Sequence, residues 1–315
     1  FKQKTAYEML RSLVGSEMCI RDSLWTGPAP LKPLSRKNLH YDWHWFYDYG
    51  NGDLGNQGIH EMDLARWFVG HKTLSRRVMS IGGRLGYDDD GETPNTQLVW
   101  HVYDGPPILF EVRGLPKSKA DQADPALWSK SMDCPAGFRG GRTIGVIVVC
   151  EGGKMIIDDG GQALLAMDPQ GKIIKRFEKK DPQRGIGWTK GDGFIFENWV
   201  AAMRSRKAAD LAAEILEGHL SSALCHTGMI SHRLGRGASP EEILEQIRAD
   251  RVASEHFEDM KEHLRRNEID FTPCPLVLGP CLTFDPARER FTDSEPANRL
   301  LRRADRKPFV VPEVV

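Results

Sequence analysis

The chain has 315 residues, enough for one large domain or two modest ones with a sizeable core. Its 43 Lys+Arg balance 44 Asp+Glu, for a net charge of −1, so the basic excess of a nucleic-acid binder is absent. No apolar run reaches the roughly 18 residues of a membrane span, and none of the six cysteines (Cys19, Cys134, Cys150, Cys225, Cys274, Cys281) forms the C-x-x-C pair of a zinc ribbon or a thioredoxin-like site.

The elements follow in chain order. Phe1–Ser23 does not begin with methionine and lacks the basic start and apolar centre of a secretory signal. It reads as translated adapter sequence rather than native chain, the other reading being a short amphipathic helix through Tyr7, Leu10, Leu13 and Val14. Residues 24–40, rich in proline, read as a linker arm. An aromatic run, Tyr41–Tyr49, leads into the glycine-rich stretch "GNGDLG". Gly58–Val69 reads as a helix whose apolar face is Ile59, Met62, Leu64, Trp67 and Phe68.

Strand-like stretches follow: "RVMSIGGRLGY", "TQLVWHVY", "PILFEVRGL", "TIGVIVVCEGG", "KMIIDDGG" and "QALLAMDPQGKIIKRF", the last with a turn at Asp168–Gly171. Short turns between consecutive strands imply antiparallel pairing, because parallel pairs need long crossovers. The chain then turns helical. "GDGFIFENWVAAMRSRK" has Asp192 as N-cap, "AAEILEGHLSSALCHTGMISHRLGR" forms a long helix, and "SPEEILEQIRA" starts with Ser239 as N-cap and Pro240 at the first helical position. A charged helix covers about 253–267. The proline- and arginine-bearing extension from about 268 is expected to wrap the surface. The expected class is α+β: an open, mostly antiparallel sheet with helices on one face, spanning 41–315.

Gly50–Gly55 fits G-x-G-x-x-G letter for letter, but the context of a dinucleotide loop is missing. The preceding "HYDWHWFYDY" is not an aliphatic strand. No acid stands about 20 residues on to bind a ribose. Asp53 would face the pyrophosphate with like charge.

A longer window carries another pattern. Gly50-Asn51-Gly52 followed by Asn56-x-Gly58-x-His60-x-x-Asp63 resembles the substrate-domain signature of the Gfo/Idh/MocA oxidoreductases. "LWTGPAP", "DDGETPNTQ", "FEVRGL" and "EGHLSSALCH" are similar to stretches of the bacterial branch of that family. The resemblance runs from about Leu24 to about Gly235. It implies a C-terminal domain that supplies the substrate pocket and an oligomer contact through the open sheet. It also implies a separate Rossmann domain that binds NAD or NADP. The family's catalytic lysine lies in an E-K-P motif of that Rossmann domain, and "EKKDP" at Glu178–Pro182 is a different string.

The implied reaction is oxidation of a sugar, a polyol or a derivative. Histidine titrates near neutral pH and suits removal of a hydroxyl proton, so His60 is the expected catalytic residue. Asn56 and Asp63 stand four residues before and three after it, on one side if the whole turn is helical. They are expected substrate contacts with Gln57, with Trp45 as a stacking ring and with Asn95 at a strand start. Asp63 is alternatively read as orienting the imidazole or bonding the helix start. Many family members carry aspartate at the position of Asn56. An amide takes no proton, which shifts that work to His60 and the lysine. The same family includes NAD-dependent glycoside hydrolases, which are the second reading. A non-catalytic sugar-binding or assembly module is the third. His219 and His226, seven residues apart on one helix face, are expected in the core or at an interface, with pocket lining as the other reading. No metal site, nucleic acid or membrane span is expected. The compartment stays open between cytoplasm and periplasm.

Overall fold

The computed structural model describes residues 23–32, 39–128, 144–158, 163–178, 194–271, 276–310 and 312. Nearly all of the stretch read as non-native and the expected Asp192 cap lie outside the described residues.

Two short helices open the domain, α1 (Leu39–Asp42) and, after a 3-10 turn at Trp43–Trp45, α2 (Gly52–Gly55). Helix α3 is Gly58–Val69, closed by Gly70 in the left-handed conformation at φ 76°. Strands β1 (Arg77–Gly83), β2 (Thr96–Val102) and β3 (Ile108–Arg113) form an antiparallel meander. Strands β4 (Gly145–Cys150), β5 (Gly153–Asp158), β6 (Ala163–Met167) and β7 (Ile173–Glu178) form a second, four-stranded antiparallel sheet. The turn before β7 is closed by the Gly171 N–H donating to the Asp168 carbonyl at 3.0 Å. Then come α4 (Phe194–Ser205), α5 (Ile215–Arg233), β8 (Arg236–Ala238), α6 (Pro240–Ile247) and α7 (Arg251–Arg266). Strands β9 (Leu276–Leu278), β10 (Leu282–Asp285) and β11 (Arg290–Phe291) precede α8 (Glu295–Leu300).

The α+β class and the open antiparallel sheet are as expected. The C-terminal extension is not a surface wrap. Both β9 and β10 pair with β1, completing a seven-stranded sheet in the order β11-β10-β1-β2-β3 with β8 beside β9. Leu276, Leu282, Phe284 and Phe291 are buried there, each contributing about 1.5–3 kcal/mol by leaving water. Proline and arginine counts hid these short strands, which are bounded by turns rather than by long apolar runs.

Helices cover both faces of this sheet, where one covered face was expected. Side chains alternate along each strand. Val78 and Val99 meet Leu54, Met62, Leu224 and Met229 of α2, α3 and α5. Ile81, Leu98 and Trp100 meet Ile243, Phe257, Met260 and Leu264 of α6 and α7. The Ser239 hydroxyl caps α6 by accepting from the Glu242 N–H at 3.2 Å, with Pro240 first in the helix, as the sequence implies. The exposed aliphatic side chains of a sheet lie instead on the four-stranded one, at Ile147, Val149 and Ile174.

Helix α3 departs from its expected face. The buried stripe is Gly58, Glu61, Met62 and Arg66, while Trp67 and Phe68 are exposed. Arg66 is fully buried and every contact satisfies it. Its Nε donates to Ser221 Oγ at 2.8 Å, Nη1 to the His71 carbonyl at 2.9 Å, and Nη2 to Glu217 Oε2 at 2.5 Å and to the Glu217 carbonyl at 3.2 Å. A planar five-donor fork can fill such a slot, which an apolar side chain cannot. Removing Arg66 leaves a cavity and takes the donors from the His71 and Glu217 carbonyls. Arg66→Ala is expected to cost about 3–5 kcal/mol of unfolding free energy, read by denaturant titration, with Arg66→Lys recovering only part.

Candidate functional site

The site lies at one end of the seven-stranded sheet, where β1 leaves and β2 enters. The aromatic turn, α2 and the loop between β1 and β2 converge there. The Trp45 carbonyl accepts from the Glu92 and Thr93 N–H groups at 2.9 and 3.2 Å, and the Tyr47 N–H donates to Glu92 Oε2 at 2.8 Å. Gly52, at φ 61°, sits under Thr93. A Cβ at residue 52 would lie 2.6 Å from Thr93 Oγ1, so only glycine permits this approach. Gly58 is similarly close to the Phe110 ring and the Asp53 carbonyl. The glycines of the motif thus press α2 and the start of α3 onto the sheet.

Arg84 anchors the wall of the site. Its guanidinium donates to both carboxylate oxygens of Asp89, at 2.6 and 2.5 Å, and to the Thr93 carbonyl at 2.9 Å. It lies 5.2 Å from the Trp45 ring centre and 5.1 Å from that of Tyr87, so two aromatic rings flank one cation. Trp45 is half-buried in this stack.

The residues expected at the site fall into different places. His60 is exposed on the first turn of α3, and its ring has no hydrogen-bond partner among the described residues. Asn56 lies outside α3. It closes α2 with non-helical backbone, its N–H donating to the Gly52 carbonyl at 3.0 Å, so the four-residue spacing to His60 is not a helical one. Gln57 precedes α3, and its amide lies 3.4 Å from both oxygens of Glu61. Asp63 bonds neither the His60 ring nor the helix start. Its carboxylate accepts from Ser221 Oγ at 2.5 Å and faces Arg66 at 3.6 Å, within the α3–α5 network. Asn95 is fully buried and clamps the β1–β2 loop, accepting from the Leu85 N–H and donating to the Leu85 carbonyl, both at 2.8 Å.

Two further residues lie at this end, outside the expected site. His226 is exposed on α5 rather than in the core, and its Nδ1 accepts from the Asn51 amide at 2.7 Å. That bond leaves the ring proton on Nε2. His219, about two turns earlier on α5, is also exposed and pairs with Glu289 at 2.8 Å. Asp53, on α2, has no hydrogen-bond or ion-pair partner among the described residues. Burial pushes its carboxyl up to about 6, against the pull of the Arg84 guanidinium. The only sequence signal for Asp53 was an acid inside a glycine turn.

The glycine stretch does not fit a dinucleotide pyrophosphate. A 3-10 turn rather than a strand precedes it, Gly52 is covered by Thr93, and the Asp53 carboxylate occupies the loop. Among the described residues no group of three or more His, Cys, Asp or Glu is placed to hold a metal ion. No helix among them is long and apolar enough to cross a membrane.

Two tests follow from this geometry. Gly52→Ala is expected to destabilise the protein by about 1–3 kcal/mol, seen as a shifted denaturation midpoint with unchanged slope. For Asp53, the folded state favours the protonated carboxyl. Its stabilising share is therefore full below the ordinary carboxylate range and is lost as pH rises through about 6. Asp53→Asn is expected to raise the melting temperature relative to the native chain at about pH 8 and to leave it unchanged at about pH 3, by scanning calorimetry.

Residues 11–120 match the model of an oxidoreductase family's C-terminal alpha/beta domain, Gfo/Idh/MocA type. The match begins inside the stretch read from sequence as non-native. No curated protein sequence matches the chain. An oxidoreductase from Agrobacterium radiobacter, solved in complex with NAD+, L-tartaric acid and magnesium, aligns with 12% identity and a TM-score of 0.35 over 62% of this chain and 50% of that one. The WlbA dehydrogenase from Bordetella pertussis, in complex with NADH and UDP-GlcNAcA, aligns with 15% identity and a TM-score of 0.32 over 60% of this chain and 46% of that one. The chain thus spans about half the length of these structures. Motif and family model thus agree over residues 11–120, which are similar to the C-terminal α/β domain of the Gfo/Idh/MocA oxidoreductase family.

Proposed function

We propose that the chain is the substrate-binding part of a nicotinamide-dependent oxidoreductase acting on a sugar, a polyol or a derivative. The observation that carries this reading is the family match over the segment that holds the motif and the site. A dinucleotide-binding domain outside the described residues holds the NAD or NADP, which accepts hydride when bound.

The chain's own residues hold the substrate and manage its proton. Trp45 borders the substrate with its ring, which also contacts the Arg84 guanidinium and the His44 ring, 4.3 Å away. His60, exposed at the start of α3, takes the hydroxyl proton. Asn56 and Gln57 border it and bind hydroxyls through their amides. Asp63 and Asn95 act at one remove: Asp63 fixes α3 against α5 through Ser221, and Asn95 fixes the loop that carries Arg84. The oligomer contact belongs to the four-stranded sheet, whose Ile147 and Val149 are exposed.

The test is the natural protein that contains this chain, assayed for NAD+ or NADP+ reduction with aldoses, polyols and nucleotide sugars. Reduction with a stable keto product is expected, with His60→Ala lowering kcat/KM by about 10²–10⁴. Failure of the parent protein to bind either dinucleotide sinks the reading.

A further inference from the structure

We propose that Asp53 is a second acid–base residue of this site and supplies the carboxyl function that Asn56 lacks. The proposal rests on the oxidoreductase reading above. Its basis is a comparison of the carboxylates at this end of the fold. Asp48 pairs with Lys32, Glu61 meets Gln57, Asp63 is held by Ser221 and Arg66, Glu92 accepts from the Tyr47 N–H, and Asp89 grips Arg84. Asp53 alone of these has no hydrogen-bond or ion-pair partner among the described residues; Asp88 of the β1–β2 loop also has none but is exposed, whereas Asp53 is partly buried in the glycine turn.

Its placement suits the role. Asp53 and Asn56 are three residues apart at the two ends of one turn of α2. The Asp53 carbonyl abuts Gly58, where α3 and the His60 turn begin. On the other side stand Arg84 and Tyr87, the charged and titratable groups that face the carboxyl. Arg84 is already neutralised by Asp89 in two-point contact, so it steadies the position of Asp53 without tying up its oxygens. Tyr87 is likewise committed, its hydroxyl donating to the Gly114 carbonyl at 2.7 Å. A partly buried carboxylate with no hydrogen-bond or ion-pair partner is costly to the fold, and such groups concentrate at functional sites. The raised proton affinity that burial gives Asp53 brings it close to neutral pH, where a general base works best.

The step is a single proton transfer. The proton that His60 takes from the substrate hydroxyl is passed on: an N–H bond of the imidazolium breaks, a new O–H bond forms on an Asp53 carboxylate oxygen, and the bonding pair returns to the ring nitrogen. His60 is exposed on α3 and Asp53 is partly buried on α2. Asn56, between them in sequence, contributes hydrogen bonds only.

Two measurements decide the matter. Carboxyl 13C NMR of this chain, labelled in aspartate, is expected to show one group titrating near pH 6 that disappears in Asp53→Asn. In the natural parent protein, Asp53→Asn is expected to lower kcat/KM by about 100-fold or more and to remove the acidic limb of its pH profile. Moving the carboxyl by the double change Asp53→Asn with Asn56→Asp is expected to restore part of both. Titration of Asp53 in the range of an exposed carboxylate, or a variant that keeps turnover and its acidic limb, overturns the proposal alone. A parent that reduces no nicotinamide overturns the oxidoreductase reading and this proposal with it.

Discussion

The structure depends on one buried cation. Arg66 sits on α3 with no exposed surface and ties that helix to α5 through Ser221 and Glu217. A charge in such a place is tolerable only when its donors are satisfied. Here the requirement fixes the angle and height of α3 against α5, and with them everything that α3 carries. Asp63 joins the same network through Ser221, so the last residue of the family motif works on the fold before it works on any ligand. The exposed His60 at the start of α3 inherits its position from this clamp, three to six residues further along the helix.

A second constraint acts at the sheet end. Gly52 and Gly58 allow α2 and α3 to approach Thr93 and Phe110 more closely than any side chain would permit. That approach brings Asp53 beside Arg84, which Asp89, Trp45 and Tyr87 hold from three sides. Asn95 secures the same loop from beneath through both backbone groups of Leu85. The glycines are therefore packing devices, and the chemistry they serve belongs to the residues they let in. The cost of an unpartnered carboxylate is sustained by a core that is continuous on both faces of the sheet.

Much of the fold was legible in the sequence. Helix α3 was readable end to end, because Gly58 and Gly70 bracket it and its period is regular. The β1–β3 meander and the Ser239–Pro240 helix start were equally plain, since each rests on local rules of alternation and capping. What escaped was set by distant partners. Trp67 and Phe68 looked like core because they are apolar, yet Arg66 took the buried place with donors supplied from residues 217 and 221. Strands β9 and β10 are too short to announce themselves without β1 beside them. At the site, the motif singled out the α2–α3 turn. It could not show that Asn56 ends a separate helix, that Asn95 is buried and clamps a loop, or that Asp53 is left without a partner.

The central claim is that the α2–α3 turn holds the reacting hydroxyl. The most direct measurement is a crystal structure of the natural parent protein with a bound sugar or polyol and its dinucleotide. The account predicts one substrate hydroxyl within about 3 Å of the His60 ring, with the sugar beside Trp45. A substrate bound away from this turn, with His60 and Asp53 both facing solvent, would contradict it.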